Sequence, residues 1–124
     1  MKILVIEDHR VDLKLAHHVL IAAGHSVTAT DEAEHAFLSI KKDRPEIILL
    51  DMTLPGMDGL TLVRLLKADA TTRDIHVVGV TSYPEKFSRE EALRAGCDAF
   101  LVKPISTRTL PQMLSDVVTA GPAR

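Results

Sequence analysis

A chain of 124 residues with 46% hydrophobic and 26% charged residues has room for one domain with an ordinary core, which we expect to span 1–124 and to end in a short tail over 119–124. Seventeen acidic and fifteen basic residues give a net charge of −2, and no run of lysine and arginine offers a surface for nucleic acid or an anionic membrane. No apolar stretch approaches the roughly 20 residues of a membrane span, and a single cysteine without a signal-peptide-like start predicts a cytoplasmic protein.

Five short apolar runs predict five β-strands, at 3–6, 27–30, 47–50, 76–80 and 99–102. The third run has four consecutive apolar residues without polar alternation, which is typical of a strand buried on both faces, as in a parallel sheet. Pro55, Gly56 and Gly59 prevent this strand from continuing. We therefore expect Asp51 to stand at the carboxyl end of a buried strand.

Apolar residues at helical spacing predict a helix after each strand. These helices are expected over 11–23, 33–40, around 62–66, around 92–95 and over 110–118. Gly24 and Gly96 should end the first and the fourth helix, and Asp31 should cap the second. Strand and helix units of this length predict right-handed crossovers and an α/β fold with helices on both faces of a parallel sheet.

Polar side chains stand where four of the predicted strands end. Glu7 and Asp8 follow the first strand, Asp51 the third, Thr81 the fourth and Lys103 the fifth. In open parallel sheets this edge is where ligands bind. Three carboxylates so close together need a cation, and oxygen ligands of this kind suit Mg²⁺. With an amine and a hydroxyl nearby, the set predicts phosphoryl transfer onto Asp51, although Asp51 taken alone could simply open a turn.

Over nearly its full length, the chain resembles the receiver domains of two-component response regulators. The resemblance rests on the acid pair Glu7-Asp8, the segment Asp-Met-Thr-Leu-Pro-Gly-Met-Asp-Gly at 51–59, Thr81, and Lys103-Pro104. It implies a doubly wound, flavodoxin-like (βα)5 fold with a five-stranded parallel sheet in the order 2-1-3-4-5.

The resemblance also implies the roles of the acids. Asp51 would accept a phosphoryl group from a histidine kinase or a histidine phosphotransfer protein. Mg²⁺ would be held by Asp8, Asp51 and the main-chain carbonyl of Thr53, and Glu7 would act largely through water.

The remaining site residues are implied in the same way. Lys103 would contact the phosphoryl group, and its bond to Pro104 would be cis. Thr81 and Phe100 would form a switch pair, in which the hydroxyl moves toward the phosphate while the ring turns inward. Three further residues would modulate the loops around the site, namely Ser82, Tyr83 and Met52.

We expect a stand-alone receiver that catalyses only its own phosphorylation and dephosphorylation. It would signal to a downstream protein through the surface of its fourth helix, fifth strand and fifth helix, as a monomer or a weak phosphorylation-dependent dimer. Two alternatives remain open. An aspartyl-phosphate phosphatase or mutase would need a second acid where Thr53 stands, and a receiver-like module that works without phosphorylation would not need the intact set of site residues.

Overall fold

The computed structural model describes residues 1–120, and the end of the predicted tail, 121–124, lies outside the described residues. The strands are β1 (Lys2–Ile6), β2 (Ser26–Thr30), β3 (Ile47–Asp51), β4 (His76–Thr81) and β5 (Ala99–Val102). The helices are α1 (Arg10–Ala22), α2 (Ala33–Lys42), α3 (Gly59–Ala68), α4 (Arg89–Ala95) and α5 (Leu110–Thr119). Thr119 thus still belongs to α5, so the predicted tail begins too early. Within 1–120, no helix has the length and apolar character that crossing a membrane requires.

The five strands form one parallel sheet in the order β2-β1-β3-β4-β5, which confirms the predicted fold. β3 and β4 are buried at every residue, whereas β2 at the edge is buried only at Thr30. Helices cover both faces of the sheet. Alternate residues of one strand point to opposite faces, so each strand contributes side chains to two separate cores. Leu4 and Ile6 pack with α2, α3 and α4, while Ile3 and Val5 pack with α1 and α5.

The helix ends agree with the sequence in most places. Gly24, with φ of 93°, follows the end of α1, and Gly96, with φ of 124°, ends α4, as predicted. The predicted cap of α2 is wrong, since Glu32 and not Asp31 occupies the cap position. α2 begins at the completely buried Ala33, and Glu32 before it makes no side-chain capping hydrogen bond.

Candidate functional site

Three carboxylates meet at the carboxyl edge of the sheet. Glu7 and Asp8 follow β1, Asp51 ends β3, and one carboxylate oxygen of each lies within 4.8 Å of the others. Glu7 and Asp51 are each 6% exposed, whereas Asp8 faces the solvent. The fold therefore brings together the three acids that the sequence placed at strand ends.

The loop after Asp51 is held by two hydrogen bonds and by a close approach of the backbone at Gly59. The Thr53 amide donates to Asp51 Oδ1 at 3.0 Å, and the Gly59 amide donates to the Met52 carbonyl oxygen at 2.9 Å. A Cβ atom at Gly59 would lie 2.7 Å from Met52 Cα and 2.9 Å from the Asp51 carbonyl oxygen. Because a side chain has no room there, the start of α3 can press against the end of β3 and fix the direction of the Asp51 carboxylate.

Lys103 reaches into the carboxylates from the end of β5. Its Nζ donates to Glu7 Oε1 at 2.6 Å, to Asp12 Oδ2 at 2.9 Å and to Asp51 Oδ2 at 3.4 Å. Its amide donates to the Thr81 carbonyl oxygen at 2.8 Å, and its bond to Pro104 is cis, as predicted. Burial by itself would lower the pKa of the Lys103 ammonium, but the hydrogen bonds to Glu7 and Asp12, together with the charges of Asp51 and Glu7, outweigh burial and raise it.

Asp12 is a member of this cluster that the strand-end argument missed. It lies in the first turn of α1, and its side chain is 39% exposed. α1 begins at Arg10, shortly after Asp8, so an acid in the first turn of α1 stays close to the carboxyl end of β1, and this was the available signal.

The acid cluster carries more negative charge than its surroundings accommodate. Burial, together with the hydrogen bond to Asp51, raises the pKa of Glu7 to about 7, although Lys103 and the His9 amide act in the opposite direction. A buried carboxylate with so high a pKa indicates that a further cation would be bound favourably here.

The residues present fit Mg²⁺. The three converging carboxylates offer oxygen atoms, which a hard divalent cation prefers to nitrogen or sulfur. Asp8, Asp51 and Thr53 line one cavity of about 540 Å³. Within residues 1–120, the buried Oγ1 of Thr53, one of the residues that line this cavity, has no hydrogen-bond partner.

The predicted switch residues lie on neighbouring strands. Thr81 is completely buried, and its Oγ1 accepts a hydrogen bond from the Tyr83 amide at 2.9 Å. Phe100 is 7% exposed and pairs with Gly79, and its Cδ1 lies 3.3 Å from the place of a Cβ atom on that glycine. The ring is therefore turned inward in this structure, in space that Gly79 leaves free. The coupled movement of Thr81 and Phe100 stays a prediction.

Of the three predicted loop modulators, two face the site and one does not. Ser82 and Tyr83 are exposed and line the same cavity as Asp51. Met52 is completely buried, and its Cε lies where it would be 2.6 Å from a Cβ atom on Gly79. Met52 is thus a core residue, because the space above Gly79 accepts its side chain, and its role as a loop modulator stays a prediction.

The family model of the response regulator receiver domain matches residues 3–115. The chain belongs to this family. Receiver domains are signalling domains of two-component systems; they interact with histidine kinases or phosphotransfer proteins and with downstream targets, and they generally bind Mg²⁺ in the acidic active site.

Named relatives agree with this assignment. Response regulator PleD of Caulobacter vibrioides is 39% identical over 104 residues, which is 84% of this chain but only 23% of PleD. The polar-differentiation response regulator DivK of Brucella anthropi is 33% identical over 104 residues, 84% of this chain and 85% of DivK.

A solved structure with the same fold is the receiver domain of the sensor histidine kinase PA1611 from Pseudomonas aeruginosa PAO1, described with a magnesium ion coordinated in its active site cleft. Its TM-score is 0.85 at 28% identity, over 95% of this chain and 97% of that one.

Proposed function

We propose that Asp51 is the residue that accepts the phosphoryl group. The observation that carries the proposal is the position of its carboxylate, which ends a central buried strand, lies beside Glu7 and Asp8, and is 3.4 Å from the Lys103 ammonium. A carboxylate oxygen of Asp51 would attack the phosphorus of a phosphohistidine, forming an O–P bond while the N–P bond breaks and the histidine nitrogen leaves with the electron pair.

The surrounding side chains would balance the charge of this transfer. Asp8, Asp51 and the Thr53 carbonyl would hold Mg²⁺, with Glu7 acting through water, and the metal would supply positive charge at the phosphoryl oxygens. Lys103 would donate to the same oxygens from the other side, and the Thr81 hydroxyl would donate after it turns toward them. Phosphorylation and its reversal would thus be carried out by the chain's own site.

We further propose a stand-alone cytoplasmic regulator that passes its state to another protein. The match covers 85% of the length of DivK, which supports a single-domain arrangement, whereas PleD is much longer than its matched part. The proposed output surface is formed by α4, β5 and α5. Leu93 and Val102, at 39% and 48% exposure, offer it apolar contacts. Such a protein would act as a monomer or as a weak dimer formed on phosphorylation.

Intact mass measurement tests the acceptor. The protein is incubated with acetyl phosphate in Mg²⁺, and the fraction that gains one phosphoryl group is compared with a sample containing a chelator. We expect phosphorylation of the wild type only with Mg²⁺, and none of Asp51→Asn. The matched control is Asp74→Asn, an exposed aspartate before β4 at the opposite edge of the sheet, which should behave as wild type. An equal yield in Asp51→Asn would refute the assignment.

A further inference from the structure

Asp12 holds the Lys103 ammonium at a position closer to α1 than to the proposed acceptor. The distance from Lys103 Nζ to Asp12 Oδ2 is 2.9 Å, and the distance to Asp51 Oδ2 is 3.4 Å. Asp12 belongs to a helix and not to the strand ends that provide the other two carboxylates. Its attraction therefore pulls the ammonium sideways, away from the carboxylate that would receive the phosphoryl group.

A lysine ammonium has three hydrogens to donate, and in this structure all three have carboxylate partners. Before it can donate to a phosphoryl group on Asp51, the ammonium must release one of them. The bond to Glu7 is the shortest at 2.6 Å and is buried, whereas the Asp12 side chain is 39% exposed. Water can replace the ammonium around an exposed carboxylate at little cost, so of the two partners other than the acceptor itself, Asp12 is the one to be released.

We propose that Asp12 is a positioning residue that retains Lys103 near α1 and thereby slows phosphoryl uptake by the unphosphorylated protein. Removing the charge of Asp12 leaves the ammonium with Glu7 and Asp51 as its partners, and it then lies where the incoming phosphoryl oxygens arrive. This inference rests on the proposed acceptance at Asp51 and adds a residue that sets its rate.

The test measures initial rates of phosphorylation by acetyl phosphate, at saturating Mg²⁺ and fixed ionic strength, from the intact mass of the protein. Asp12→Asn should react about two- to five-fold faster than wild type, since an ion pair with one exposed partner has a strength of that order. Asp12→Glu restores the charge and should return the rate toward wild type. Asp74→Asn loses the same charge at the far edge of the sheet and should leave the rate unchanged.

A second pair of variants shows whether the effect passes through the lysine. Lys103→Ala is compared with the double variant Asp12→Asn/Lys103→Ala, with longer incubation because both react slowly. Equal rates in these two proteins support the inference, because Asp12 then has nothing to position. If Asp12→Asn accelerates the reaction by the same factor without Lys103, its charge acts directly on the anionic donor and the inference is wrong.

The remaining outcomes are also decisive. If Asp12→Asn is folded by circular dichroism and its phosphorylation rate is equal to or below that of wild type, the inference is overturned. If Asp12→Asn does not fold, Asp12→Ser serves as the uncharged variant. Failure of the proposed function gives a different result, because wild type would then gain no phosphoryl group or Asp51→Asn would gain one. Wild-type uptake that requires Asp51 but ignores Asp12 refutes only the positioning role.

Discussion

Glu7→Gln should stabilise the metal-free protein at pH 8. Glu7 is 6% exposed, and burial together with the hydrogen bond to Asp51 raises its pKa to about 7. Glutamine has nearly the shape of the protonated acid and no charge, so it should relieve both the desolvation and the repulsion. Lys103 would keep Asp12 and Asp51 as partners, so the substitution leaves no buried cation without a counter-charge.

The magnitude follows from the rise in the pKa of Glu7 from its ordinary value of 4.5. Because the folded protein holds this proton more tightly than the unfolded chain, the wild type loses stability as the pH rises from about 4.5 to about 7, and little more above that. Glutamine escapes this loss. The gain in free energy of unfolding should grow from about 1 kcal/mol at pH 5 to about 3 kcal/mol at pH 8.

Urea unfolding in the presence of a chelator, at both pH values, measures this difference. Glu85→Gln is the control, because Glu85 is exposed and its replacement should change stability little at either pH. A Glu7→Gln protein that is less stable than wild type at pH 8, or a gain that is the same at pH 5, would refute the reasoning. Adding Mg²⁺ should reduce the difference in free energy of unfolding between Glu7→Gln and wild type. The ion stabilises the folded state to which it binds, and it should bind the variant more weakly than the wild type.

Two further predictions concern the phosphorylated site. Lys103→Ala, measured in Mg²⁺, should lower the rate of phosphoryl uptake by about 10²–10³-fold, because one preorganised contact with the phosphoryl oxygens would be lost. The circular dichroism spectrum should stay that of the wild type. An unfolded variant would instead show that Lys103 has a structural role. Tyr83→Ala should lose its phosphoryl group faster than wild type once the donor is removed, because the Tyr83 ring, 47% exposed at the opening, would shield the phosphorus from water. Leu93→Ala, on the proposed output surface, is the control for this decay, and equal or slower loss in Tyr83→Ala would leave that tyrosine a recognition residue.

The sequence predicted the centre of the fold better than its margins. β3 and β4 are buried at every residue, and their uninterrupted apolar runs reveal this directly. The edge strand β2 is mostly exposed, so its pattern is weak and its observed start, Ser26, comes one residue before the predicted one. By residue type Asp31 is a better cap than Glu32, but α2 begins one residue later than this preference suggests, at the completely buried Ala33.

The site divides in the same way. A strand-end rule suffices for Glu7, Asp8 and Asp51, because parallel strands deliver their last residues to one edge. The rule fails for Asp12, which lies in the first turn of α1 and not at the end of a strand, so that its position depends on the direction of the helix. Nor does any local pattern show that the space above Gly79, on a neighbouring strand, accepts the Met52 side chain.

The predicted gain in Glu7→Gln and the fit to Mg²⁺ have one physical origin. Burying Asp51 at the end of a central strand fixes its direction, but the same burial makes negative charge unfavourable and raises the pKa of the neighbouring Glu7. A cation that enters would reduce this unfavourable energy, and the reduction would add to its affinity. We therefore infer that variants of the buried acids which stabilise the metal-free protein will bind Mg²⁺ less tightly. Asp12 lies at the exposed rim, where water screens its charge, so Asp12→Asn should alter the phosphorylation rate with much less effect on stability.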